Sequence, residues 1–365
     1  MAGLALGSVL AGRVADRLER PFAAFGLAEI GVGITGFFAL DLLFGLAPAE
    51  VWMHHQFGGG GVAMTASRFI VASAVLIVPC TLMGATLPLL SRAVVDDDDS
   101  IGSGTGALYA INSFGAVAGC ALSGFVLIPA LGLATTNSVA AFLNVSVGVI
   151  AFVLGRSSLA RPVPEEEPVL DEGPRVPLLA LGFGVSGFTA LGYEVLWTRA
   201  LEQFTHNSTY AYTAMLATFL AGIAGGSAIA SRIADRSRRP DIVFGRIQLA
   251  IAFSVFIALF IYRQLLDWMP AIASGIGGLE SWGRVMVLIF IVTGMTLFGT
   301  TLLFGATFPF VTRAIVESQA VVGRRVAQAY SINTVGSIIG SVVIGFMLLP
   351  TLGMSGTFTT LIVLN

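Results

Sequence analysis

A carboxylate inside a long apolar run is the first feature of this sequence that can do chemistry. Glu194 lies in LGYEVLWTR, with Tyr193 beside it and Arg199 five residues on. Charge at membrane depth is costly, so such a group is either used or paired. Used, Glu194 binds a cationic amine or relays a proton; paired with Arg199, it locks helices together. Glu29 and Gln248 stand at equivalent places in two related helices. They suit either a central cavity or a hydrogen-bonded helix interface. Asn112 and Asn333, in YAIN and YSIN, each follow a tyrosine (Tyr109, Tyr330) by one turn and fit substrate hydrogen bonds or interhelical glue. Three histidines, and two cysteines set in apolar runs, make no nucleophile–base set and no metal cluster. We expect no catalytic residue, metal or cofactor in this chain.

The elements that must hold these residues are membrane helices. Of 365 residues, 56% are hydrophobic and 11% charged, against about 25% charged in soluble domains; the mean hydropathy is +0.89. The lipid bilayer is therefore the main partner, and a net charge of −2 gives no sign of nucleic-acid binding. Eleven apolar segments are expected, near 1–15, 22–47, 69–91, 107–132, 134–155, 178–200, 208–231, 241–265, 285–312, 326–350 and 355–365. The one long polar stretch, 156–177, is rich in Pro and Glu and reads as a linker between membrane units 1–155 and 178–365. Arginines such as Arg13, Arg92, Arg161, Arg238 and Arg324 crowd the loops of one side, which the positive-inside rule makes cytoplasmic, linker included. The expected location is the inner (plasma) membrane, multi-pass.

The sequence also contains itself twice. GATLPLLSRAV (84–94), YAINSFGAVAG (109–119) and GFVLIPALGL (124–133) return as GATFPFVTRAI (305–315), YSINTVGSIIG (330–340) and GFMLLPTLGM (345–354), all at one constant offset. GLALGSVLAGRVADR (3–17) returns as GIAGGSAIASRIADR (222–236), at a slightly shorter offset. Six spans separate each motif from its copy, so the two halves share one orientation, the plan of major facilitator transporters rather than of inverted-repeat folds. The second unit has a helix, 178–201, that the first lacks, and a fuller version of the opening helix. The expected fold is thus all-α and MFS-like, two parallel six-helix repeats with about eleven of twelve spans present and the first and last incomplete.

Within the repeat, Gly3/Gly7, Gly115/Gly119, Gly222/Gly226 and Gly336/Gly340 are spaced for close helix contact. Pro88 and Pro309 free a backbone carbonyl inside a helix, as a gate or a static bend. Asp16–Arg17 and Asp235–Arg236 lie where a loop meets the next helix; their carboxylates can cap helix N-termini and pair across the halves, holding one closed state. The acidic run Asp96–Asp99 reads as a solvated loop or a collector of cationic polyamines. Trp52 and Trp268 read as interface anchors.

Taken together, YEVLWTR, the small-residue helix ending in ADR, GAT-x-P, and Y-x-IN-x-x-G followed by GF-x-L-x-P-x-LG resemble the membrane region of bacterial fused MFS/spermidine synthase proteins, along essentially the whole chain. GRVADRLER (12–20) also resembles the loop between the second and third helices of major facilitators, although Ser231 replaces the glycine in the second copy. The resemblance implies a spermidine-synthase-like fusion in which this membrane module anchors a C-terminal aminopropyltransferase-like domain and moves polyamines or related amines. That soluble domain is expected beyond Asn365. The alternatives are a free-standing MFS-like transporter and a scaffold that transports nothing.

Overall fold

The computed structural model describes residues 1–57, 62–157, 160–161, 175–205, 208–316 and 318–365. Its helices are α1 (Ala2–Val14), α2 (Pro21–Gly45), α3 (Ala47–Phe57), α4 (Val62–Val94), α5 (Ile101–Leu122), α6 (Ile128–Ser157), α7 (Arg175–Thr205), α8 (Thr209–Ala234), α9 (Pro240–Gly275), α10 (Trp282–Thr293), α11 (Gly299–Ile315), α12 (Val322–Val343) and α13 (Leu349–Leu364). Among the described residues there is no strand. Most of the expected linker lies outside the described residues.

Local chemistry sets the helix limits. Pro21 and Pro240 open α2 and α9 at the position where a missing N–H costs nothing. Ser208 caps α8 by accepting from the Ala211 N–H at 3.1 Å. Single π-helical turns continue α5 into α6 at Ser123–Leu127 and α12 into α13 at Ile344–Leu348. Each precedes a proline, Pro129 or Pro350, whose ring crowds the carbonyl four residues back and widens that turn. Three residues later Gly132 (φ 77°) and Gly353 (φ 66°) break the helical path with a backbone that side chains resist.

Eight stretches are long and apolar enough to cross a membrane. Two of them, 98–157 and 319–364, break at those glycines into pairs of spans. With the shorter α1, every apolar segment expected from the sequence is helical. Two stretches beyond the expected apolar segments are helical as well: α3 makes a helix around Trp52, and α9 continues through Trp268 and Pro270 to Gly275. Pro88 and Pro309 are buried and neither interrupts its helix.

The halves share one packing plan. α1 lies on α4 and α2 on α4 in the first; α8 lies on α11 and α9 on α11 in the second. A Cβ on Gly7 would overlap the Thr81 backbone, and one on Gly226 the Leu302 backbone, its equivalent. Gly336 and Gly340 meet the α7 backbone in the same way, at Gly184 and Phe188. Gly115 and Gly119, expected to do likewise, face open space. α7 packs along α12, and among the described residues no helix packs that way on α5. The halves meet through α1 against α12 and α8 against α5.

Candidate functional site

Both meetings between halves use the same side chains. Ser8 donates to the Ala327 carbonyl at 3.1 Å, and Ser227, its copy, donates to the Gly106 carbonyl at 2.9 Å. One turn further on, Gly12 faces Ala327, and Ser231 faces Gly106, which also meets Pro309. At the arginine-rich end, Asp16 accepts the backbone N–H groups of Gly323 and Arg324, both at 2.8 Å. Asp235 accepts those of Gly102 and Ser103, both at 2.7 Å. Each carboxylate therefore caps a helix N-terminus of the opposite half, where unsatisfied donors and the helix dipole favour an anion. Arg313 lies 3.6 Å from Asp235. Burial pushes the Asp16 carboxyl above its ordinary value of 3.8, against the opposing pull of the Arg324 and Gly323 N–H groups and of nearby Arg92. Arg17 and Arg236 are exposed.

The same end carries a further tie. Asp98 accepts from the Gln319 backbone N–H through its side chain and from Arg313 Nη1 through its carbonyl at 3.3 Å. Asp96 pairs with Arg161, which also donates to the Ala93 and Val95 carbonyls at 2.7 and 2.9 Å. The acidic run is exposed, but half of it is engaged in contacts. Through Asp98 it joins a loop of the first half to a loop of the second, while all four aspartates stay exposed as a solvated loop would be.

Deeper in the molecule, a cavity of about 300 Å³ lies between the halves. α5 supplies Tyr109 and Asn112, α12 supplies Tyr330 and Asn333, and α7 supplies Ser186 and Glu194. Rings from α8 and α11 (Phe219, Phe304, Phe308) complete the wall, with Tyr109 stacked on Phe308 at 4.6 Å. Along α12 the lining residues Tyr330 and Ser337 fall about 10 and 20 Å below the Asp16 cap, at 1.5 Å per residue. Glu194 is the one carboxylate among the described lining residues, and no cationic side chain among them lines the cavity. Arg199 is exposed, and among the described residues no ion pair joins it to Glu194. Five residues turn a helix by about 140° past alignment, so the two side chains point apart.

The candidates thus divide. Glu194, Asn112 and Asn333 come together; Tyr193, Glu29 and Gln248 do not join them directly. Tyr193 is 1% exposed, packed against Phe304 and Phe358, with its hydroxyl 3.3 Å from Asn365 Nδ2. One helix position moves a side chain by about 100°, and that takes it off the cavity. Gln248 reaches the wall indirectly, donating to Ser186 Oγ at 3.0 Å. Glu29 is half-buried on α2 and lines no part of the cavity. Asn333 donates to the Phe183 carbonyl at 2.9 Å, so it is glue between α12 and α7; Asn112 has no such partner among the described residues and is exposed to the cavity. Sequence reading does not single out Ser8, Ser227 or Ser186. The first two stand in the repeated GLALGS and GIAGGS, which is the available signal.

No protein-family model and no curated protein matches the chain. Solved structures do. The chain is similar to the human organic anion transporter MFSD10 (TETRAN) at 15% identity and TM-score 0.49, covering 100% of this chain and 81% of that one. It is also similar to a bacterial homologue of the iron transporter ferroportin in its outward-facing state, at 14% identity and TM-score 0.60, covering 100% and 86%. The second likeness shows the fold alone: the all-helical, MFS-like arrangement expected from the sequence repeat.

Proposed function

We propose that this chain is a small-molecule transporter of the major facilitator type whose substrate is a cationic amine. One observation carries the reading: a cavity between two symmetry-related halves that holds a lone carboxylate side chain, Glu194, and no cationic side chain among its described lining residues. An unpaired acid at that depth is costly, and a bound ammonium group offsets the cost. The aromatic wall adds faces that attract a cation. The halves 1–155 and 178–365 are the moving bodies. The Asp16 and Asp235 caps, with the Asp98 tie, hold the arginine-rich side closed, and that side is the cytoplasmic one by its arginine excess. Alternating access requires these caps to break while the Glu194 site stays intact.

Uptake of labelled putrescine and spermidine into proteoliposomes tests this directly. Uptake by the intact protein that falls at least about tenfold in Glu194→Gln supports it, because one charge-assisted contact is worth about 1.5–3 kcal/mol. Uptake unchanged by Glu194→Gln, or none at all, removes it.

A second reading is favoured by the ordered motifs YEVLWTR, GAT-x-P and Y-x-IN-x-x-G: a membrane module that anchors an aminopropyltransferase-like domain. The coding sequence beyond Asn365 separates the two. A soluble α/β domain there supports anchorage, and a stop codon leaves transport alone.

A further inference from the structure

Of the tryptophans, Trp52, Trp268 and Trp282 are exposed, whereas Trp197 on α7 is 1% exposed. Its indole Nε1–H has no hydrogen-bond acceptor among the described residues. The ring is fixed by edge contacts with Phe358 and Tyr262, at 5.0 and 5.8 Å between centroids. A buried indole N–H ordinarily finds an acceptor, because an unpaired donor keeps the full cost of leaving water.

Helix geometry narrows the choice of acceptor. Trp197 follows Glu194 by three residues, about 4.5 Å along the axis and within about 60° of the same face. Helical side chains lean toward the N-terminus, which brings position 197 over the turn that carries Glu194. The two share a narrow cleft whose other walls are Met215, Leu216, Phe219 and Leu297. The cleft has no room for a water molecule, so an acceptor must come from its walls. Apart from the weak thioether of Met215, the Glu194 carboxylate is the one acceptor side chain among those residues. Glu194 also borders the central cavity, so its carboxylate stands between two spaces.

We propose that Trp197 is a positioning residue for Glu194: the carboxylate turns into the cleft to accept the indole N–H, and an ammonium group in the central cavity draws it back. The arrangement seen, with the indole unpaired, is the one that an ammonium stabilises. Each position of the carboxylate satisfies one buried partner, and the amine must compete with the indole. The indole bond stands by itself, whereas the competition rests on the central cavity being an amine site.

The test is nuclear magnetic resonance of the purified full chain in neutral detergent, with isotope-labelled tryptophan indoles. Replacing the exposed Trp52, Trp268 and Trp282 by Phe in turn identifies the Trp197 resonance. Without amine, Glu194→Ala is expected to move the Trp197 indole proton upfield, the direction of a lost hydrogen bond. Met215→Leu is expected to leave it in place, and added putrescine to move the wild-type resonance as Glu194→Ala does. A resonance unmoved by Glu194→Ala, or moved equally by Met215→Leu, overturns the proposal. Putrescine that is taken up yet leaves the resonance in place overturns the competition. A shift in Glu194→Ala, with neither uptake nor a putrescine shift, keeps the indole bond and removes the amine reading instead. Affinity gives a second readout: Trp197→Phe should lower the half-saturating putrescine concentration by about tenfold, since the competing bond is gone. Loss of packing alone would lower uptake at saturation without tightening binding, and that result overturns the competition.

Discussion

The α1–α12 and α8–α5 crossings are copies of one another, and the contrast lies in what each copy was allowed to change. Serine bond, small-residue contact and aspartate cap are kept at both. These are the parts that let two helix backbones touch and satisfy the donors at a buried helix end. What differs is the outward side. α12 is clamped to α7 by Gly336, Gly340, the Asn333 bond and a Ser337 bond to the Gly187 carbonyl at 3.1 Å. The matching face of α5 (Asn112, Gly115, Gly119) is left open, with Asn112 turned to the cavity. Closure between the halves is symmetric, whereas the lining of the cavity is not. Identical residues in the two copies mean different things, depending on whether a helix lies against them.

The largest expected effect breaks that contrast at its glycines. Gly7→Leu or Gly226→Leu drives a side chain into a neighbouring backbone and should cost more than about 3 kcal/mol. Gly115→Leu, with nothing near it, should cost less than about 0.5 kcal/mol. Yield of monodisperse protein and melting temperature distinguish the two. Similar losses would mean that a helix packs on α5 after all.

Next come the caps. Asp16→Ala and Asp235→Ala each remove a carboxylate that accepts two N–H groups and should each weaken the closed arrangement by about 1.5–3 kcal/mol. Thiol labelling of Asn112→Cys from the arginine-rich side reads this out: faster labelling in either cap variant, fastest in the double, is the expected order. An unchanged rate would mean that the caps do not hold the halves together.

A smaller effect separates the asparagines. Asn333→Ala removes the side-chain bond to the Phe183 carbonyl and should cost about 1 kcal/mol, while Asn112→Ala should leave the melting temperature unchanged. Equal losses would show that Asn112 has a partner too.

The smallest effect is in acid. The folded value of Asp16 lies above 3.8, so the folded chain holds that proton more tightly than the unfolded chain. Its contribution to stability is therefore fully present below pH 3.8 and lost as pH rises through the raised value. Asp16→Asn removes this titration, and melting temperature against pH should change slope in that window only. A changed slope near neutrality would point to another group.

Much of this was legible because membrane helices obey local rules. Apolar length marks every span, and the proline–glycine pairs at 129/132 and 350/353 mark where two of them turn. The constant register of the repeat pairs the halves by sequence alone, since matched loops must fall on one side. It also points at Asp16 and Asp235, though the groups they accept from lie 307 and 133 residues away in the chain. Only the tertiary structure decided which members of the polar set share a cavity. Glu194 and Tyr193 are adjacent in sequence, yet one helix step sends the first to the cavity and the second into the packed core. Asn112 and Asn333 match in sequence, yet the presence of α7 beside α12 consumes only one of them. Hydropathy and periodicity report what a helix is made of. The neighbour across each face, set by packing at long range, decides whether a polar side chain is glue, cap or open for a ligand.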